Sequence, residues 1–317
     1  MNNIEKFQTC VILIAVVIGL LLGQVTLISD LAASLILPCL LLMLYGLFLA
    51  VPFPHIRQAV EHKRFIGANI LINFVWTPMI AFAIGSLFLS DHPALWLGFI
   101  LLLITPCTDW YLIFTSMAKG NIKLSTAVLP INLLLQMVLL PIYLLLLGGV
   151  FKLGSLYTML ESTILVLLVP FLLAWLTRRI FRHNSLVIKS MIPLFSQAQI
   201  LFLALAIMAM FASQGHHLLE NLEVIYLLLL PLLLFFIINF ATAHVVSKLA
   251  NFSTSTNVSL SLLSIARNSP IVLAIVITAF PEQPLIALAL IIGPLIELPI
   301  LALATQILIK TEKRRAH

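Results

Sequence analysis

Residues 104–115 read ITPCTDWYLIFT. They lie inside an apolar run from about 94 to 118, yet carry a proline, a cysteine, an aspartate and several hydroxyls. Pro106 has no N–H and strains the turn before it, so a helix entering this run must break near its middle. In hydrocarbon, where no water can take up freed amides and carbonyls, such a break is tolerated only where protein or a wet cavity supplies partners. The stretch therefore predicts a broken membrane helix with a carboxylate, Asp109, at the break.

The rest of the chain supports a membrane setting. Its 317 residues are 62% hydrophobic and 9% charged, with a mean hydropathy of +1.19; a soluble domain carries about 25% charged residues. A spanning helix needs about 20 mostly apolar residues. Ten segments fit: about 10–29, 32–53, 66–90, 94–118, 124–147, 160–177, 194–213, 224–247, 256–280 and 284–308. The first is too long for a signal-peptide core and is expected to be retained as a span. With the N-terminus inside, 15 of the 17 basic residues fall in inner loops or the C-terminal tail; Lys152 is outer and Arg267 lies within a span. Positive loops stay cytoplasmic, so both termini are expected in the cytoplasm of a plasma (cell inner) membrane protein. The formal charge of +6 does not call for nucleic acid, because in a membrane protein the position of the charges matters more than their sum.

The spans also suggest an internal repeat. The run starting at 94 and the run starting at 256 have equal length, and each is broken at its centre, by TPCTDW around Pro106 and by ARNSP around Asn268 and Pro270. The next spans also match, with LPINLLLQ in one and GPLIELP in the other. Five spans is an odd number, so a second copy must enter the membrane upside down. The expected architecture is an all-α membrane protein of ten transmembrane helices. They form two inverted five-helix repeats, residues 1–150 and 151–317, with broken, crossing fourth and ninth helices. Such layouts place a substrate site at the midplane. Chance proline placement is the alternative, since prolines are common in membrane helices.

Asp109, Arg267 and Glu297 are the ionisable residues expected near mid-membrane, where such groups are costly and face the protein interior. Half-helix amide ends after each break carry partial positive charge. Asp109 and Arg267 would lie close if the broken helices cross, either as a gate or as a structural ion pair. Arg267 stays charged, so Glu297, between Pro294 and Pro299, is the candidate proton carrier, with Asp109 as a second; the alternative for Glu297 is a carboxyl that locks its helix. Cys107 sits at the break and is either a small hydrophobe or a soft ligand. Asn132 and Gln136 share a helical face and, with Thr108, Asn268 and Ser269, could hydrogen-bond a substrate. Trp110 and Tyr111 wall the cavity or simply pack. No nucleotide-binding, zinc-protease or serine-hydrolase motif occurs, so neither enzymatic activity nor a cofactor is expected.

On these residues the chain resembles the bile acid, arsenite and riboflavin transporter superfamily, and within it the arsenical resistance-3 type of arsenite permease. The resemblance is carried by the cysteine of the fourth span followed by MAKGN at 117–121, by Asn132 and Gln136, and by GPLIELP at 293–299. It implies that Cys107 is an arsenite ligand and that Glu297 serves proton exchange. TPCTDWY and ARNSP depart from the usual arsenite motifs, with Asp109 and Arg267 as additions. In the sodium-coupled branch an acid and a glutamine on the broken ninth helix help to hold sodium. Leu263 and Arg267 stand near those places here, which argues for protons over sodium.

Two functions follow. One is metalloid efflux, arsenite leaving by proton antiport. The other is symport or exchange of a small organic anion, favoured by Arg267 and the half-helix amide ends. A scaffold or receptor without a transport cycle fits the broken, charged core less well. The expected partners are the lipid bilayer, the solute and protons, not nucleic acid; the sequence is compatible with a homo-oligomer.

Overall fold

Each apolar run folds as helix because only intrasegment hydrogen bonding satisfies a backbone in lipid. A computed structural model describes residues 8–50, 62–107, 110–151, 156–181, 190, 192–220 and 222–316. The first helices are α1 (Gln8–Leu22) and α2 (Thr26–Ala50). Then come α3 (Lys63–Leu71), a π-helical turn at Ile72–Trp76, and α4 (Thr77–Phe88). The fourth apolar run is two pieces, α5 (Pro93–Leu103) and α6 (Trp110–Met117). Long helices follow: α7 (Ile122–Phe151), α8 (Leu156–Ile180), α9 (Ile192–Glu220) and α10 (Leu222–Leu249). The next run is again split, into α11 (Thr254–Ile265) and α12 (Ser269–Ala279), and α13 (Pro284–Ala316) ends the chain.

The protein is an all-α, multi-pass membrane protein. Among the described residues, seven helices are long and apolar enough to cross a membrane, and three shorter apolar helices span Leu13–Leu22, Pro93–Leu103 and Ser269–Ala279. The exposed faces are greasy, as lipid contact requires: on α8, Ile164, Leu165, Leu168, Val169 and Leu172 all point outward.

The helices sort into two compact units, interleaved along the chain. One comprises Met1–Val51, Pro141–Val224 and Pro270–Ile291; the other comprises Pro52–Leu140, Ile225–Ser269 and Ile292–His317. In the first unit, α1 and α2 pack on α9 at very short range. A Cβ on Gly19 would stand 2.5 Å from the Met208 carbonyl oxygen, and one on Gly46 would stand 2.8 Å from that of Phe195. Without a hydrophobic drive between helices, such close backbone approach is what holds membrane helices together. Tyr45 adds an edge-on ring contact to Phe195 at 5.5 Å and shares a hydroxyl hydrogen bond of 3.0 Å with Thr177 on α8. Gly19→Ala is expected to lower stability by about 1–3 kcal/mol through overpacking, read as a lower Tm in detergent; an unchanged Tm would contradict the close approach.

In the second unit the turn between α6 and α7 is fixed by Lys119 in the left-handed region, φ 56, with Gly120 N–H donating to Thr115 O at 2.8 Å. A Cβ on Gly120 would clash with Thr115 at 2.6 Å. Asn121 N–H then donates to Ser255 O at the start of α11. Tyr111, expected to wall a cavity or pack, is fully buried, and its hydroxyl donates to Ser125 O at 2.6 Å, tying α6 to α7.

Candidate functional site

The candidate site lies wholly in the second unit, where the two broken runs meet. Helix α5 ends at Leu103 because Pro106 cannot continue it. Helix α11 ends at Ile265, and Ala266 turns extended, with φ −79 and ψ 133. Pro270 sits in the first turn of α12, where its missing N–H costs nothing. The extended residues between the half-helices pair as an antiparallel bridge, Pro106 opposite Arg267. Cys107 N–H donates to Ala266 O at 3.0 Å, and Asn268 N–H donates to Thr105 O at 2.8 Å. The Thr105 hydroxyl lies 3.3 Å from Asn268 O. Each break thus supplies the partners that the other lacks.

Arg267 is the centre of this arrangement and is 0% exposed. Its Nη1 donates to Leu103 O at 2.9 Å; its Nη2 donates to Asn73 Oδ1 at 3.1 Å and also to Ser264 O. Leu103 and Ser264 are among the last residues of α5 and α11. Terminal helix carbonyls have no partner within the helix, and each helix C-terminus carries about −0.5 of a charge. One guanidinium therefore caps two converging negative ends. It also lies over the Phe235 ring of α10, 5.3 Å from the centroid, a favourable cation–π position. Its Nε has no hydrogen-bond partner among the described residues.

Glu297, on α13 and 1% exposed, accepts the backbone N–H of Arg267 through Oε1 at 2.9 Å. A polar chain runs the other way. Asn73 Nδ2 donates to Asn69 Oδ1 at 2.9 Å, and Asn69 Nδ2 donates to Asn132 Oδ1 at 2.6 Å. A guanidinium can only donate, so Asn73 must turn its oxygen to Arg267 and its amide nitrogen onward, which orients the whole chain. Asn239 on α10 donates to Thr77 Oγ1 at 3.1 Å and to Ser264 O at 3.2 Å.

Of the residues singled out from sequence, Cys107, Arg267, Asn268 and Glu297 come together at the crossing, and Asn132 is joined to it through Asn69 and Asn73. The Cys107 side chain is 0% exposed. Ser269 is buried at the start of α12. Gln136 is buried one turn beyond Asn132 on α7, and neither its Oε1 nor its Nε2 has a hydrogen-bond partner among the described residues. Thr108 and Asp109 lie outside the described residues, as does the side chain of Trp110, so the expected pairing of Asp109 with Arg267 falls there too. Asn69, Asn73 and Phe235 were missed from sequence. The asparagines had a signal: they stand four apart in an apolar helix, the spacing that drew attention to Asn132 and Gln136. Among the described residues, no three His, Cys, Asp or Glu side chains group as a metal ion would need.

Residues 37–221 match the family described as Sodium Bile acid symporter family. The arsenical-resistance protein Acr3 of Corynebacterium glutamicum is 25% identical over 301 residues, covering 87% of this chain and 81% of that protein. An uncharacterized protein of Bacillus subtilis, YbaS, is 24% identical over 239 residues, 74% of this chain and 76% of its own length.

Proposed function

This chain belongs to the sodium bile acid symporter family, within the bile acid, arsenite and riboflavin superfamily, and from that premise we propose that it is a symporter or exchanger of a small organic anion. Membership makes it a membrane-embedded secondary transporter. The observation that carries the choice of an anion is the state of Arg267. The guanidinium is fully buried and donates to uncharged oxygens, and its Nε is left without a hydrogen-bond partner among the described residues. A carboxylate or sulfonate would complete it, since charge-assisted hydrogen bonds to guanidinium are the strong ones. Glu297, on the amide of the same residue, is our candidate for coupling this movement to protons, with Asp109 as a second proton site. Thr108, Asp109, Asn132, Gln136, Asn268 and Ser269 complete the proposed substrate shell.

We read the frame as ten spans in two inverted repeats, 1–150 and 151–317, in the plasma membrane with both termini cytoplasmic. Three features support the repeat. Helix occurs in every one of the ten apolar runs. The two amide bonds at the crossing are reciprocal. Thr77 and Asn239, bonded to each other, stand 162 residues apart, within one residue of the separation between Pro106 and Arg267 at the crossing (267 − 106 = 161). Each repeat contributes to both compact units.

The test measures uptake of labelled short carboxylates and sulfonates into proteoliposomes, with sodium or proton gradients imposed. Uptake that follows the proton gradient is expected. No uptake of any of these anions would end the reading, and uptake driven by sodium alone would remove the proton coupling.

Similarity to the Corynebacterium arsenical-resistance protein over most of the chain favours a second reading, arsenite efflux by proton antiport. Here the Cys107 thiol would replace one hydroxyl of arsenous acid with release of water, thiolates being ligands for soft metalloids. In cells lacking arsenite exporters, the wild type should then lower retained arsenite, and Cys107→Ser should restore retention to background. Absence of any wild-type protection rejects this reading; full protection by Cys107→Ser removes the thiol from it.

A further inference from the structure

We propose that Pro106 leaves Gln136 as an open hydrogen-bonding position, which the transported solute fills with the oxygens of a small oxyacid, carboxylic or arsenous. The inference rests on the transporter reading of this site and names a group that recognises the solute.

In the crossing, the bridge residues Pro106 and Arg267 are flanked by the two interstrand bonds, Cys107 to Ala266 and Asn268 to Thr105. They form a non-hydrogen-bonded pair, so their own amide positions point away from the opposite segment. The Arg267 N–H, pointing away, finds the Glu297 carboxylate at 2.9 Å. The two flanking bonds are images of each other at one separation, since 268 − 107 = 161 and 266 − 105 = 161. Arg267 and Pro106 are related in the same way, 267 − 106 = 161. So are Glu297 and Gln136, 297 − 136 = 161. Under the proposed repeat, Gln136 is the counterpart of Glu297 and residue 106 that of Arg267. Residue 106, however, is proline and has no amide proton to give.

The state of the Gln136 side chain supports the proposal. It is 1% exposed, and both its oxygen and its nitrogen lack a hydrogen-bond partner among the described residues. Leaving a buried carboxamide unbonded costs stability, and leucine of similar size would avoid that cost. The neighbouring carboxamide, Asn132, is committed to Asn69. Gln136 offers two N–H donors and one carbonyl acceptor. An oxyacid matches that set: its oxygens accept from Nε2, and an O–H, carried by arsenous acid at neutral pH and by a carboxylic acid when it takes up a proton, donates to Oε1.

The stability arm uses the purified full-length protein in detergent, without solute. Gln136→Leu is expected to raise Tm by a few degrees, because it removes an unsatisfied polar group. In a Pro106→Ala background the new amide can reach Gln136, and the same Gln136→Leu change is expected to lower Tm. That reversal of sign is the signature. A fall in Tm or failure to accumulate for Gln136→Leu alone overturns the proposal, as does the same sign in both backgrounds. Should Pro106→Ala not fold, the single variant decides: a rise supports the open position, and no change or a fall overturns it. The transport arm measures uptake of arsenite and, separately, of short carboxylic acids into membrane vesicles. Gln136→Leu is expected to lose whichever flux the wild type shows, and retention of wild-type flux overturns the recognition role. If the wild type moves neither probe while the Tm signature holds, the solute reading falls and the open position stands.

Discussion

Replacing Arg267 with methionine is expected to destabilise the protein by about 3–5 kcal/mol, the range found when one partner of a buried charged network is removed. The loss has three sources. Leu103 O, Ser264 O and Asn73 Oδ1 lose their shared donor; Ser264 O keeps the Asn239 amide, and a buried acceptor left bare costs about 1–3 kcal/mol. Two helix C-termini are left facing each other with no positive charge between them. The Glu297 carboxylate keeps its bond to the backbone amide but loses the nearby cation. Arg267→Lys should recover part of the stability, since an ammonium restores the charge but cannot span the same acceptors with a planar fork. Thermal unfolding in detergent reads the series. Equal Tm for wild type and Arg267→Met would mean that the guanidinium does not hold the crossing.

Glu297 separates structure from coupling through two replacements. Glu297→Gln keeps an oxygen for the Arg267 amide, so its stability should stay within about 1 kcal/mol of wild type. Glu297→Leu removes that oxygen and the buried negative charge, and should cost about 3–5 kcal/mol. If Glu297 carries the proton, flux driven by a pH step should drop to background in Glu297→Gln despite its intact fold, because a carboxamide does not titrate in this range. Undiminished pH-driven flux in a well-folded Glu297→Gln would leave the residue a purely structural role.

Much of this frame is written in single residues. Pro106 and Pro270 mark the breaks because proline's chemistry is local and does not depend on neighbours. The apolar runs mark the helices for a similar reason: in lipid, composition over about 20 residues is enough. Arg267 and Glu297 stand out because charge in such runs is rare. What those charges touch was not legible. The sequence suggested a carboxylate for Arg267, whereas the described guanidinium bonds run to two carbonyl oxygens and an asparagine. Every residue has a carbonyl, so no sequence pattern flags the ones left bare at a helix end. Asn69 and Asn73 were visible only as a spacing, and their line to Asn132 depends on how two separate helices face each other. The interleaving of the two compact units depends likewise on long-range packing.

The wide turn at Ile72–Trp76 has a consequence for timing along its helix. Asn69, Asn73 and Thr77 are all buried, and all serve partners in the same unit: Asn132, Arg267 and Asn239. In a regular helix of 3.6 residues per turn, positions four apart creep steadily around the axis. One looser turn absorbs that creep and keeps three polar groups, spread over nine residues, in phase. Dropping one residue there would leave a respectable helix but swing everything beyond it by about 100°, carrying Thr77 off Asn239 while Asn69 and Asn73 stayed in place. The segment therefore works as a phase correction, and its length is under tighter constraint than its apolar side chains.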